Sequence, residues 1–314
     1  MSNLTVRILT AVLAIPIIIL LVIFGDIFFL LFVLIISFLA QNEFYKLAAV
    51  KGSKPIAGLG LFTGSLIILS FFHKKVQFFV VEFFEKNNVF IPFPSQTQLI
   101  LIISVLAVIT ILLVEMFRNR DNAIQNISTT VLGIFYVPLF LGTLVGIREL
   151  FIPFDFPVYR FFPVEVNLSD SVKDQIYLWG GYTVLTIFAT IWICDTAAYF
   201  GGKMFGKHKL FERVSPNKTW EGAISGFIFA IAFVVAAKYL VLDYLSVENA
   251  VVIGIIVGVF GQLGDLAESK LKRDAGVKDS STLIPGHGGV LDRFDSVLFV
   301  APLVFLFLDF VVFS

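Results

Sequence analysis

The sequence predicts an all-α, polytopic integral membrane protein, and three observations carry that prediction. Hydrophobic residues make up 58% of the chain against 15% charged, with a mean hydropathy of +0.94, whereas a water-soluble domain is usually about 45–50% apolar and about 25% charged. The excess falls into nine separate apolar runs spread along the chain. The 37 phenylalanines are more than one soluble core would bury, while lipid solvates them readily. This composition excludes disorder, collagen-like repeats and a small disulfide scaffold. With 23 Lys and Arg against 23 Asp and Glu the net charge is zero, so no polyanion-binding surface and no nucleic-acid partner are expected. The single cysteine, Cys194, has no partner for an internal disulfide.

A helix that crosses the hydrocarbon needs about 20 mostly apolar residues. Runs of that kind lie near 6–24, 27–45, 56–72, 99–117, 124–147, 176–200, 222–242, 249–268 and 290–312, giving about nine transmembrane helices. The first has no small-residue cleavage site behind it, and Phe24-Gly25-Asp26 leads straight into the second run. It therefore reads as a retained helix and not a signal peptide. Between the third and fourth runs, Phe78, Phe79, Phe83 and Phe84 are spaced to bury one face of an interfacial helix. No separate soluble domain of useful size remains. Residues 1–175 read as a lipid-facing scaffold of transmembrane helices, and 176–314 as a transmembrane catalytic region.

Lysine and arginine in short loops set orientation. They collect after the second run (Lys46, Lys51, Lys54), after the fourth (Arg118, Arg120), between the sixth and seventh (Lys203, Lys207, Lys209, Arg213, Lys218) and between the eighth and ninth (Lys270, Lys272, Arg273, Lys278, Arg293). The alternate loops are poorer in positive charge: Asp26 marks one, Asp243 and Glu248 another, and the stretch 148–174 has five acids against three bases. The mixed stretch 73–98 is the exception. An N-terminus in the cytoplasm and a C-terminus outside follow.

Nearly every polar cluster falls within 195–295, on the side assigned to the cytoplasm. Asp195 follows an apolar run from Ile187 to Cys194. A carboxylate deep in the bilayer costs about 2.5–3.5 kcal/mol and normally faces a polar interior; the alternative is a helix end reaching water. A loop rich in glycine and lysine follows, from Gly201-Gly202-Lys203 to Lys207-His208-Lys209, ending in Ser215-Pro216-Asn217-Lys218-Thr219-Trp220-Glu221-Gly222. Such a loop suits close approach to phosphate, and equally suits a positive-inside loop that fixes topology only. In the eighth run Gly254, Gly258, Gly261 and Gly264 leave one side without side chains, as in close helix packing. Asp265 and Ser269, four apart, share a face at its cytoplasmic end.

The densest segment runs from Ser269 to Asp295. Asp292 and Asp295 are three apart at the start of the last run, so both carboxylates are expected to point the same way; two acids matched to a helix dipole are the plain alternative. Acids at 265, 292 and 295 interleave with bases at 272, 273, 278 and 293. Hard carboxylate oxygens suit Mg²⁺, which typically takes one or two carboxylates together with substrate phosphates. His287, between glycines, is either a phosphate donor or a turn-former. The chemistry this pattern implies is phosphoryl or nucleotidyl transfer to a lipid at the membrane surface. No Ser-His-Asp or Cys-His arrangement, zinc-like set or Walker A motif is legible.

These residues also resemble a known family. Ser269-x-x-Lys272-Arg273, then Lys278-Asp279, then Ile284-Pro285-Gly286-His287-Gly288-Gly289-x-x-Asp292-Arg293-Phe294-Asp295 resembles the signature of the phosphatidate cytidylyltransferases, or CDP-diacylglycerol synthases, at every position. The stretch Ser215–Gly222 resembles the family's second motif, and the matching part covers about the last 120 residues. The resemblance implies reaction of CTP with phosphatidic acid to give CDP-diacylglycerol and pyrophosphate, with Mg²⁺. It implies that Asp265, Ser269, Asp292 and Asp295 bind the cation, with Asp265, Asp292, Asp295, Lys272 and Arg273 catalytic. Ser215, Asn217, Lys218, Lys278, His287, Arg293 and Asp195 would then contact substrate. A homodimer, a second cation such as K⁺ and a bacterial inner membrane also come with the resemblance. Two rival activities remain open: a CTP-dependent kinase of a polyprenol or phytol, and a secondary transporter, though neither inverted repeats nor mid-bilayer polar groups are visible.

Overall fold

The computed structural model describes residues 3–87, 92–161 and 169–314. Parts of two stretches read above, 88–91 and 162–168, lie outside the described residues. The protein is overwhelmingly helical, and every apolar run is a helix. Helices α1 (Asn3–Phe24), α2 (Asp26–Val50), α3 (Ala57–Phe71), α4 (His73–Glu85) and α5 (Gln96–Phe117) are followed by α6 (Ala123–Ile134) and α7 (Phe140–Glu149). After a short α8 (Val158–Phe161) come α9 (Asp170–Phe205), α10 (Trp220–Leu240), α11 (Val247–Asp274) and α12 (Leu291–Phe307). Among the described residues seven helical stretches are long and apolar enough to cross a membrane, and two shorter apolar helices, Ile8–Phe24 and Ala57–Phe71, coincide with the first and third runs.

Local chemistry explains the joints. Gly25, at φ +63°, turns the chain between α1 and α2 in a conformation that favours glycine. Arg148, buried at the end of α7, donates to the carbonyls of Tyr177 and Ile23 and lies 4.2 Å from the Tyr177 ring centre. The guanidinium fills the space where a Cβ at Gly25 or Gly180 would sit. This staple ties the α1–α2 elbow to α9 and so fixes α1 alongside it. Pro138 removes a backbone donor between α6 and α7, and a π-helical turn, Phe135–Leu139, absorbs the defect. In α4, Phe78, Phe79 and Phe83 are exposed on the face expected to lie in the interface.

Three expectations need correction. The sixth helix does not stop near 200: α9 begins at Asp170 and continues to Phe205, so Gly201-Gly202-Lys203 is helical and Asp195 is not a helix end. Its 36 residues span about 54 Å at 1.5 Å each, well beyond a hydrocarbon core of about 30 Å. The eighth helix likewise runs on to Asp274, so Lys272 and Arg273, read above among the bases between two runs, are helical. The glycine- and lysine-rich loop is in part a hairpin: β1 (Lys209–Phe211) pairs antiparallel with β2 (Ser215–Thr219).

One hydrophobic core joins both halves of the chain, from Val22 on α1 to Val312 beyond α12. Within it α9, α10, α11 and α12 pack in sequence, and α7 lies along α12. The ends of α9 and α11 therefore meet the beginnings of α10 and α12 at one end of the bundle.

Candidate active site

Glycines determine how closely these four helices approach. A Cβ at Gly226 would come within 2.8 Å of the Cys194 carbonyl, and one at Gly222 within 2.6 Å of the Ala198 carbonyl, so α10 crosses α9 backbone to backbone beside Asp195. A Cβ at Gly264 would lie 2.5 Å from the Asp295 carbonyl, so α12 touches α11 where Asp265 and Asp295 emerge. Gly254 and Gly258 pack against Ile231 and Phe227 in the same way, whereas the nearest atom to a Cβ at Gly261 is 3.7 Å away. Three of the four glycines read from the sequence are thus required by close approach, and Gly261 is not.

The acids surround a cavity of about 470 Å³. One wall is apolar, formed by Ala11, Ala14, Ile15 and Ile18 of α1 with Phe188, Ile191 and Trp192 of α9. The same cavity is lined by Asp195, one turn beyond Trp192 on α9, and by Asp265, Lys272, Asp292, Arg293 and Asp295 of α11 and α12. Asp195 and Asp265 also line a second cavity with Asn217, Lys218 and Thr219, and so stand between the two. A third, polar cavity is bounded by Lys278, Asp279, His287 and Arg293. Asp195 and Asp295 both lie within electrostatic reach of Asp265.

The individual contacts separate roles that the sequence grouped together. Lys218, on β2, reaches Asp265 Oδ2 at 2.7 Å, and Ser269 donates to Asp265 Oδ1 at 3.2 Å. Lys272 sits between Glu268 at 2.5 Å and Asp292 at 2.6 Å. Asp292 Oδ2 accepts the Ser280 N–H and Oγ–H, both at 2.9 Å, and the Gly289 N–H at 2.7 Å. Both of its oxygens are engaged. Among the described residues, Asp295 Oδ1 accepts only a local bond, from the Ser296 N–H. Asp292 and Asp295 therefore do not act as one parallel pair, despite their spacing: Asp292 holds the 280–289 loop, and Asp295 faces Asp265 and Asp195. Arg273 is exposed and donates to the Val277 carbonyl, and neither it nor Ser215 lines these cavities.

Among the described residues no group of three or more His, Cys, Asp or Glu side chains stands close enough together to hold an ion unaided. Asp265 and Asp295, with Asp195 beside them, still fit Mg²⁺, for which two carboxylates suffice when phosphates supply the remaining ligands.

Two acids read only as part of a motif or a helix face have supporting contacts, and a third, Glu43, escaped the sequence reading. Glu221 accepts from the N–H groups of Lys207 and His208 and pairs with His208 Nδ1 at 2.6 Å, fixing the hairpin's approach to α10. Glu268 is fully buried beneath Lys272. Glu43 of α2 reaches Ser280 and Ser281. An acid inside the apolar run 27–45 was the available signal for it.

The fold and site define a polytopic membrane protein with a carboxylate-lined cavity between helices, apolar in part and rimmed by bases. The cytidylyltransferase family matches residues 5–311. A phosphatidate cytidylyltransferase of Synechocystis is 33% identical over 313 aligned residues, covering 96% of each chain. Those of Staphylococcus haemolyticus and Staphylococcus aureus are 47% and 49% identical over 125 residues, which is 40% of this chain and 48% of theirs; these matches span about half the length of the staphylococcal relatives. The chain belongs to the cytidylyltransferase family.

Proposed function

We propose that the protein transfers the cytidylyl group of CTP to phosphatidic acid, giving CDP-diacylglycerol and pyrophosphate. The observation that carries this reading is the mixed lining of one cavity, where apolar residues of α1 and α9 suit acyl chains and Asp195, Asp265, Asp292 and Asp295 suit phosphate chemistry. By the distribution of Lys and Arg, that end of the bundle faces the cytoplasm, with the N-terminus inside and the C-terminus outside. In a bacterium the membrane would be the inner one.

The phosphate of phosphatidic acid is ionised near neutral pH, so its oxygen needs little help from a base. That oxygen attacks the α-phosphorus of CTP, the bond from the α-phosphorus to the bridging oxygen breaks, and the electron pair leaves with pyrophosphate. The protein's task is to bring two polyanions together and hold them in line. Lys218 orients Asp265 through their ion pair. Arg293, exposed between the first and third cavities, is placed to meet phosphate oxygens. Lys272 is committed to Glu268 and Asp292, so it supports the loop that bears Lys278 and His287. Bound Mg²⁺, held by Asp265 and Asp295, would neutralise phosphate charge.

The test is to incubate purified protein with Mg²⁺, CTP and phosphatidic acid. CDP-lipid and pyrophosphate are the expected products. Phosphate transferred to an added polyprenol would select the kinase, and ion uptake into vesicles without turnover the transporter.

A further inference from the structure

Glu43 lies on α2, about 240 positions from the signature loop, and is 97% buried, with 3% exposure. Its carboxylate receives four hydrogen bonds from that loop and from the helix that follows it. Oε1 accepts the Ser281 Oγ–H at 2.6 Å and the Val290 N–H at 3.1 Å; Oε2 accepts the Ser280 Oγ–H at 2.9 Å and the Leu291 N–H at 2.8 Å. Val290 and Leu291 open α12, so Glu43 occupies the helix N-terminus that would otherwise attract an anion. Ser280 Oγ lies 2.9 Å from both Glu43 Oε2 and Asp292 Oδ2, so its one hydroxyl proton serves one carboxylate at a time. Gly289 is tight against both: a Cβ there would lie 2.0 Å from Ser280 Oγ and 2.5 Å from Glu43 Oε2. The two carboxylates clamp the two ends of the segment 280–291, which carries His287 to the polar cavity, and Lys278 lines the same cavity two residues before the clamped end.

We infer that Glu43 is a positioning residue for the phosphate-facing loop, acting on the nucleotide more than on the lipid. The inference rests on the reading of the protein as a CTP-using transferase. The loop lines the polar cavity with Lys278, Asp279 and His287 and also reaches the first cavity through Asp279, Ile284 and His287, where the apolar lining comes from α1 and α9. Loosening the loop, which carries the basic groups but not the α1 and α9 lining, should therefore disturb CTP more than phosphatidic acid.

E43Q tests this. Glutamine keeps the shape, but either orientation of its amide turns an NH₂ toward Val290 N–H or Leu291 N–H, where a donor meets a donor. Because a displacement of about 1 Å can cost on the order of 100-fold, kcat/KM for CTP should fall about 10- to 100-fold, mainly through KM, with KM for phosphatidic acid within about twofold. A purely structural residue would lower only the amount of active enzyme, seen as reduced kcat with both KM values unchanged, and that result overturns the inference. S281A removes a single donor and covers the case of E43Q misfolding. It should lower kcat/KM for CTP about threefold, in keeping with one hydrogen bond, and unchanged kinetics would again overturn the inference. Hydrogen exchange of amides 280–291 gives a readout apart from turnover, and should be faster in E43Q and, more weakly, in S281A. If wild-type protein makes no CDP-lipid, the transferase reading fails; unaltered exchange in both variants would refute the Glu43 clamp itself.

Discussion

Replacing Asp292 by asparagine keeps the side-chain shape, removes its charge and leaves the cavity's other carboxylates in place. Asp292 is 9% exposed, and its oxygens take three donors from Ser280 and Gly289 and the Lys272 ammonium at 2.6 Å. With its oxygen turned to the loop, asparagine keeps three bonds but makes each neutral. Hydrogen bonds to charged groups contribute about 1.5–3 kcal/mol and neutral ones about 0.5–1.5, so about 1 kcal/mol is lost per bond. The amide NH₂ would face the ammonium, although Lys272 retains Glu268 at 2.5 Å and is not orphaned. A total near 3–4 kcal/mol agrees with the about 3–5 kcal/mol lost on breaking a buried pair. At about 2 °C per kcal/mol for a large chain, D292N should melt about 6–8 °C lower in detergent micelles. The control is D295N: among the described residues Asp295 holds only its own neighbour's N–H and lies near two other carboxylates, so D295N should melt at or above wild type. Thermal unfolding followed by intrinsic fluorescence decides. A D292N melting point within about 1 °C of wild type, or an equal drop in D295N, would refute the division of labour between these two acids.

The remaining expectations concern how the site is assembled. G264A should drive α12 from α11, because the added Cβ meets the Asp295 carbonyl at 2.5 Å; it should cost about 1–3 kcal/mol and most of the turnover, while G261A behaves as wild type in melting and activity assays. K218A removes the partner of Asp265 and should reduce kcat/KM for CTP about tenfold, in line with the loss of a positioning contact, with little change in melting point. Chelation of divalent cations should abolish CDP-lipid formation and Mg²⁺ should restore it; full turnover in chelator would remove the role given to Asp265 and Asp295.

How much of this was legible in the sequence depended on the physics involved. Helix positions followed from hydropathy, because a membrane span has to be apolar along its length. Helix ends did not, because α9 and α11 continue as polar helix through Lys203 and Arg273, where an apolar run is no longer needed. Asp265 and Asp295 stood out as candidates because acids interleave with bases at the ends of two apolar runs, and the fold places both on one cavity. The divergence of Asp292 from Asp295 was not legible: spacing places both at one helix start, but the fold of the 280–289 loop decides which donors each one meets. Glu43 was harder still, since its partners are about 240 residues away and only tertiary packing brings α2 to the start of α12.

The most direct test compares transfer of α-labelled CTP to phosphatidic acid by wild-type protein and by D295N, each confirmed as folded by its melting curve. The label should enter lipid with the wild type and fall at least about 100-fold with D295N, the scale of losing an electrostatic contact at a reacting centre. Label transfer by a folded D295N at the wild-type rate would contradict the assignment of Asp295 to the cation that neutralises the reacting phosphates.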